Sequence, residues 1–440
     1  MIAVTVVTPI HAETGFRALP RLTLWATKGA LAILDQGLIA GSNFFIGILL
    51  ARWLAPAQYG SYALAFAIFL LLSAVTQALL IEPQRIFGPS DYNNRLREYL
   101  GSLLHINVFL TALTSLGLVA AAVVIYLFAP SSTLSFALFG VAIAAPCILL
   151  MWLARGAFYV KLSPQYATAG GAIYCVVICG GMFALHSLYS VSPFSAFLVM
   201  GMGAIVSSSV LLVILRPALR IGAGFVHWKI VLGKHWHYGR WVLASLVLNA
   251  VAGDIYYPLV SSFSGLTATG QLKALLNFYM LVAQTFSALS IFLLPYACRV
   301  LSEHGIAALR RLTWKMSALF ALLAFGYWTA LVLLSTSLLQ FVYGGRYLGL
   351  SSLVIWVAAA SLPWNLAVVP TIALRAVRSS ASIFVIYCAS SAVSILVGIP
   401  LTWVAGLRGA LWAMIASNLA ALVVAIVLAR SKMRTMPQLI

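Results

Sequence analysis

Runs of about twenty predominantly apolar residues recur along the chain, each closed by a short polar stretch. A run of that length crosses the ~30 Å hydrocarbon core of a bilayer as a helix. Twelve are predicted, at roughly 30–51, 60–81, 101–127, 134–154, 165–186, 194–215, 241–262, 274–296, 316–338, 350–373, 381–403 and 409–429. They are too long and too evenly apolar for the alternating strands of a membrane barrel. The pattern predicts an all-α polytopic membrane protein with about twelve transmembrane helices.

Composition agrees: of 440 residues, 63% are hydrophobic and 8% charged. A soluble domain has about 45–50% apolar and about 25% charged residues, so soluble enzymes, disordered regulators and disulfide scaffolds are excluded. Lys and Arg number 26 against 7 Asp and Glu, a net charge of +19. Such an excess in one patch would suggest nucleic acid. Here the cations recur in small groups between apolar runs, so no nucleic-acid partner is expected. Twenty-two fall on one side of the predicted spans, from Arg17, Arg21 and Lys28 through Arg155, Arg220, Arg375 and Arg378 to Arg434. Arg52, Lys273, Arg346 and Arg408 fall on the other. By the positive-inside rule both termini are cytoplasmic and the protein is a multi-pass component of a bacterial inner membrane. The N-terminus lacks the basic region of a signal peptide. Cys147, Cys175, Cys179, Cys298 and Cys388 lie in apolar runs without metal-ligand partners and are read as small buried hydrophobes.

The longest cytoplasmic loop separates spans six and seven. It divides the chain into a cytoplasmic segment 1–29, a six-helix bundle 30–215, a basic loop 216–240, a second six-helix bundle 241–429 and a tail 430–440. Tyr59-Gly60-Ser61 opens span two, and Thr269-Gly270-Gln271 stands at the corresponding start of span eight. Two halves with an even number of spans share orientation and enclose a cavity between them.

Ionisable residues inside spans are the candidate site. Glu13, Asp91, Glu98 and Glu303 belong to loops, whereas Asp35 and Asp254 lie within spans one and seven. An ionised Asp at bilayer depth costs ~2.5–3.5 kcal/mol on insertion scales and generally faces a cavity or a partner. Each either serves function or makes a structural hydrogen bond to a neighbouring helix; Lys28, two turns before Asp35, is a possible partner for it. Glu82 and Arg85 close span two, where they either line a cytoplasmic mouth or snorkel. Arg52 and Lys273 stand at the outer rim of the expected cavity, placed to attract an anion such as a diphosphate or to anchor the helix ends. Arg346 and Arg408 are more exposed candidates. Pro146, Pro258, Pro295, Pro363, Pro370 and Pro400 interrupt spans, and Pro258 follows Asp254 by four residues. His235-Trp236-His237 has metal-ligand spacing but no further ligand, and is read as a basic interfacial loop. No Walker loop or nucleophile motif occurs. The chain is therefore not expected to be an enzyme, to hold a metal or to need a cofactor.

Leu34-Asp35-Gln36-Gly37, Gly41-Ser42-Asn43-Phe44-Phe45 and Leu50-Ala51-Arg52-Trp53-Leu54-Ala55-Pro56, continuing into Gln58-Tyr59-Gly60-Ser61-Tyr62, resemble the opening of Wzx-type polysaccharide flippases of the multidrug/oligosaccharidyl-lipid/polysaccharide (MOP) superfamily. Arg155-Gly156-Ala157-Phe158-Tyr159, Tyr238-Gly239-Arg240-Trp241 and Tyr343-Gly344-Gly345-Arg346-Tyr347 are similar to that family as well. The resemblance implies a MATE/MOP-like fold with a V-shaped central cavity. It also implies transfer of undecaprenyl-diphosphate-linked oligosaccharide to the periplasmic leaflet for O-antigen, capsule or exopolysaccharide assembly. Coupling to H+ or Na+ is implied with it. In that picture Arg52 and Lys273 contact diphosphate or sugar, and Asp254 or Asp35 carries the ion. Membrane lipids surround the protein; a polysaccharide polymerase and glycosyltransferases are its possible partners.

Four other readings compete, one of them a polysaccharide polymerase, which would want a large periplasmic loop that the span pattern does not provide. A MATE-like drug or metabolite cation antiporter would favour an anionic cavity, whereas the outer side holds only basic residues. A non-transporting scaffold leaves the intramembrane acids unexplained. A lipid II flippase usually has fourteen spans rather than twelve.

Overall fold

The computed structural model describes residues 19–218, 228–377 and 379–435. Glu13, Arg17, Arg220 and Arg378, assigned above to cytoplasmic segments, lie outside them. The first half comprises α1 (Leu19–Trp53), α2 (56–90), α3 (Leu96–Phe128), α4 (Thr133–Val160), α5 (Pro164–Ser187) and α6 (Pro193–Leu215). The second comprises α7 (228–264), α8 (266–304), α9 (306–343), α10 (348–376), α11 (380–405) and α12 (407–435).

Among the described residues, ten stretches are long and apolar enough to cross a membrane. Two of the helical runs, Tyr256–Leu333 and Gly398–Thr435, are divided by residues that leave helical geometry: Gly265 (φ 82°), Gly305 (φ 73°) and Gly406 (φ 54°). Positive φ is open to glycine without a Cβ clash. The three glycines fall between predicted spans seven and eight, eight and nine, and eleven and twelve, so the count of twelve returns once they are recognised. They also correct a boundary. With the turn at Gly265, α8 starts before the predicted 274, and Lys273 lies two turns inside a helix rather than in an outer loop.

Helix α3 shows why the fold belongs in lipid. Leu103, Ile106, Asn107 and Thr111 are buried on one side, while Phe109 (66% exposed) and Leu116 (66%) project from the other. A helix that is apolar all round has no stable place at a water surface. Within the first half α4 packs on α2, α3 and α6, and α1 on α5; in the second, α10 packs on 256–333 and α12, and α7 on α11. Pro258 and Pro400 follow backbone turns at Asp254–Ile255 and Val397, whereas Pro146, Pro363 and Pro370 sit inside continuous helix. The cysteines are free thiols; Cys298 is exposed, against the expectation of burial, and the other four are partly buried.

Candidate functional site

The halves meet along α2 and α8. A methyl group at Gly60 would overlap the Leu266 carbonyl, and one at Gly270 the Pro56 carbonyl. The two matching glycines of the sequence are thus partners in one crossing, where the missing Cβ atoms let the backbones touch. Around it, the Asn277 amide donates to the Tyr59 hydroxyl (3.0 Å) and the Tyr343 hydroxyl (3.3 Å), and the Tyr343 hydroxyl donates to the Ala274 carbonyl (2.8 Å). Arg346 donates to the Leu54 carbonyl at 2.5 Å, and exposed Arg52 lies beside Gly344. Arg52 and Arg346 therefore belong to this closure between halves, outside the cavity described next.

That cavity, about 250 Å³, lies between α2 of the first half and α7, α8, α10 and α12 of the second. Asp254 and Lys273 both line it. Asp254 stands eleven residues before Gly265 and Lys273 eight after it; at ~1.5 Å rise per residue both lie roughly 12–16 Å from the turn. The backbone is broken at Asp254. Pro258 has no N–H to offer the Asp254 carbonyl four residues earlier, and that carbonyl accepts from Tyr257 N instead, at 3.2 Å. The acid thus sits where a helix end opens into the cavity.

Lys273 is 9% exposed. Its ammonium lies 5.9 Å from the Phe66 ring centre, 5.8 Å from that of Tyr257 and 3.8 Å from the Met280 sulfur. Aromatic faces attract a cation but do not neutralise it. Among the described residues Lys273 makes no ion pair.

The other candidates lie elsewhere. Asp35 is fully buried inside the first half, where Arg155 approaches it at 3.2 and 2.6 Å and the Tyr159 hydroxyl donates to it at 2.5 Å. Arg155, read in the sequence as a loop cation, is 7% exposed. Glu82 and Arg85 pair with each other at 3.6 Å on a partly exposed helix end. Sequence reasoning missed Arg155 and Tyr159 as the partners of Asp35, although Arg155-Gly156-Ala157-Phe158-Tyr159 had been singled out and its two polar residues stand one helical turn apart.

His235 is also buried rather than interfacial. Its Nδ1–H donates to the Leu79 carbonyl (2.7 Å), which leaves Nε2 to accept from the Tyr99 hydroxyl (2.8 Å) in the neutral imidazole. Leu79 lies in a π-helical turn, Gln77–Ile81, and α7 packs against it. The start of the second half is thereby fastened to α2 and α3, and no signal in the local sequence foretells it. No group of His, Cys, Asp or Glu suited to a metal occurs among the described residues.

The all-helical fold, with a cavity between its two halves, matches MATE/MOP-like folds. An inward-facing multidrug resistance MATE family transporter of the MOP superfamily aligns with 92% of this chain and 98% of its own, at TM-score 0.73 and 11% identity. An outward-facing conformation of a transporter of the same description aligns over 93% and 95%, at 0.64 and 12%. The lipid II flippase MurJ, inward closed, aligns over 94% of this chain and 87% of its own, at 0.64 and 12%. The sequence matches no family profile and no curated protein.

Proposed function

We propose that this chain flips undecaprenyl-diphosphate-linked oligosaccharide from the cytoplasmic to the periplasmic leaflet of a bacterial inner membrane, for O-antigen, capsule or exopolysaccharide assembly. The observation that carries the reading is Lys273, a buried ammonium without an ion-pair partner among the described residues, facing a cavity between two bundles. A desolvated cation in that position favours an anionic group, and a diphosphate supplies one by charge-assisted hydrogen bonding. The fold shared with a lipid II flippase supports a lipid-linked cargo.

In this reading the bundles 30–215 and 241–429 are the two moving halves, with both termini cytoplasmic. Asp254 carries the coupling H+ or Na+. It lies at a helix break, and it and Lys273 line the same cavity, so an ion on the acid and an anion on the lysine would each alter the other's affinity. Asp35, already held by Arg155, keeps the first half together. Arg52 and Arg346 serve the outer closure, and Glu82 with Arg85 the opposite end of α2. A polymerase and glycosyltransferases would act before and after the transfer.

The test is polymer output from cells lacking the gene, complemented with the wild-type chain, Lys273→Ala or Asp254→Asn, with undecaprenyl-linked intermediates assayed by leaflet. The expected result is intermediate trapped on the cytoplasmic side in the deletion, uncorrected by either variant at normal protein level. A second reading, a MATE-like cation antiporter, is favoured by the presence of Asp254 in the cavity. It would replace the first if polymer were unaffected and cationic drugs accumulated in the deletion strain.

A further inference from the structure

A second cavity, about 210 Å³, lies within the second half between α8, α10 and α11. Its walls are mostly apolar, including Val368, Ile372 and Ile386, and Arg375 stands in its lining in the last turn of α10. The Arg375 side chain is exposed, and among the described residues it has no hydrogen-bonding or ionic partner. Trp364, eleven residues earlier on α10, lines both this cavity and the one that holds Asp254 and Lys273. The two spaces therefore share Trp364 in their walls.

The first half shows what such an arginine needs. Arg155 lies near the end of α4 as Arg375 lies near the end of α10, and Arg155 is neutralised by Asp35. Asp35 stands 25 residues before Gly60, and 25 residues before Gly270 stands Ser245. At the matching sequence offset the second half therefore carries a hydroxyl in place of a carboxylate, and among the described residues Arg375 has no anion paired with it. A guanidinium presents a planar fork of donors matched to phosphate oxygens. An apolar slot behind a lone guanidinium suits an amphiphile with an anionic head and a hydrocarbon tail, and suits a soluble polar anion poorly.

We infer that Arg375 and the cavity between α8, α10 and α11 form an entry subsite for the phosphate-bearing head of the lipid-linked substrate, from which it passes Trp364 to reach Lys273. This rests on the flippase reading above, since it takes that cargo as its occupant. Arg375 lies at the end of the molecule that the charge distribution assigns to the cytoplasm, the leaflet from which such a lipid would load.

The experiment uses the full chain in phosphatidylethanolamine nanodiscs containing a minor fraction of phosphatidylglycerol, with binding of undecaprenyl diphosphate read by native mass spectrometry. Loss of a charge-assisted bidentate contact should weaken binding by at least about tenfold in Arg375→Gln. Arg375→Lys should recover part of it, and Thr371→Trp, which fills the slot without removing charge, should weaken it as well. Phosphatidylglycerol retention should be unchanged in all three variants, and inorganic diphosphate at equal concentration should not compete. Wild-type affinity in both Arg375→Gln and Thr371→Trp, with binding lost in Lys273→Ala, would overturn the entry subsite and leave the flippase reading standing. No binding by the wild-type chain would remove both. Parallel loss of phosphatidylglycerol, or full competition by inorganic diphosphate, would make this a bulk-lipid or soluble-anion site and overturn the inference.

Discussion

Where α1, α4 and α5 meet in the first half, the polar group at the seam is Asp35, held by Arg155 and Tyr159 and packed against Gly171. Where α7, α11 and α12 meet in the second half, the seam is closed by neutral hydroxyls. Ser391 donates to the Leu248 carbonyl (2.6 Å) and Ser394 to the Ala252 carbonyl (3.1 Å), while the Ser390 and Ser394 hydroxyls each lie 2.8 Å from that of Ser417. The Tyr256 hydroxyl joins them by donating to Ser394 at 3.2 Å. The first half therefore spends its intramembrane acid on its own cohesion. Among the described residues the second half's seam is closed without charge, and Asp254, Lys273 and Arg375 line cavities. The contrast separates two uses of buried charge that look alike in sequence: one is matched inside a half, the other is left for something that enters.

If that separation is right, breaking the matched pair should have the largest effect on folding. Asp35→Ala or Arg155→Ala alone leaves an uncompensated buried charge and is expected to cost about 3–5 kcal/mol. Thermal melting of the detergent-solubilised chain would register it as a large fall in midpoint. The double variant Asp35→Leu/Arg155→Met removes both charges and should recover most of the loss. Equal damage from the double and single variants would show that the pair is not the reason for the effect. Next in size is the crossing of the halves. Gly60→Val drives a side chain into the Leu266 carbonyl, and overpacking of this kind costs roughly 1–3 kcal/mol. Cysteine cross-links between α2 and α8 should then form more slowly than in the parent, and unchanged cross-linking would mean that the glycines do not set the approach.

The seam pairs of the first half were not legible in the sequence, although their elements were. The twelve runs could be counted because each must satisfy its own backbone in hydrocarbon, so span length is imposed locally. The break at Asp254 was visible for the same reason, since Pro258 acts on a carbonyl four residues away. Asp35 and Arg155 are 120 positions apart and meet only because α1 packs on α5, which lies beside α4; Lys28, the cation nearest in sequence, is the partner a local pattern offers. His235 was read as a surface residue because its neighbours Lys234, Trp236 and His237 suit an interface. Its partners lie on α2 and α3, beyond any local pattern. Lys273 reads as a loop residue because Ser261, Ser262, Ser264, Thr267, Thr269 and Gln271 make the stretch before it polar, whereas the turn itself is confined to Gly265.

The serine seam gives a smaller test. A hydrogen bond between membrane helices averages about 0.6 kcal/mol in double-mutant cycles. Ser394→Ala should therefore lower stability by about that much, well below the Asp35 and Arg155 variants. A loss of several kcal/mol would mean that the second half depends on its polar seam as the first depends on its ion pair, and the contrast between them would fail.

The smallest effect on stability, and the most telling, is expected at Lys273. A buried ammonium without an ion-pair partner among the described residues costs the folded state its hydration and recovers part of it from the Phe66 and Tyr257 rings. Lys273→Met keeps the length of the side chain, removes the charge and retains contact with those rings. Its melting midpoint should equal or exceed that of the parent, while transfer of the lipid-linked substrate is lost. Residues kept for function at the expense of stability behave in this way. A clear fall in midpoint would instead place Lys273 with Arg155, as a cation the fold itself requires, and the assignment of the second half's charges to an incoming anion would lose its main support.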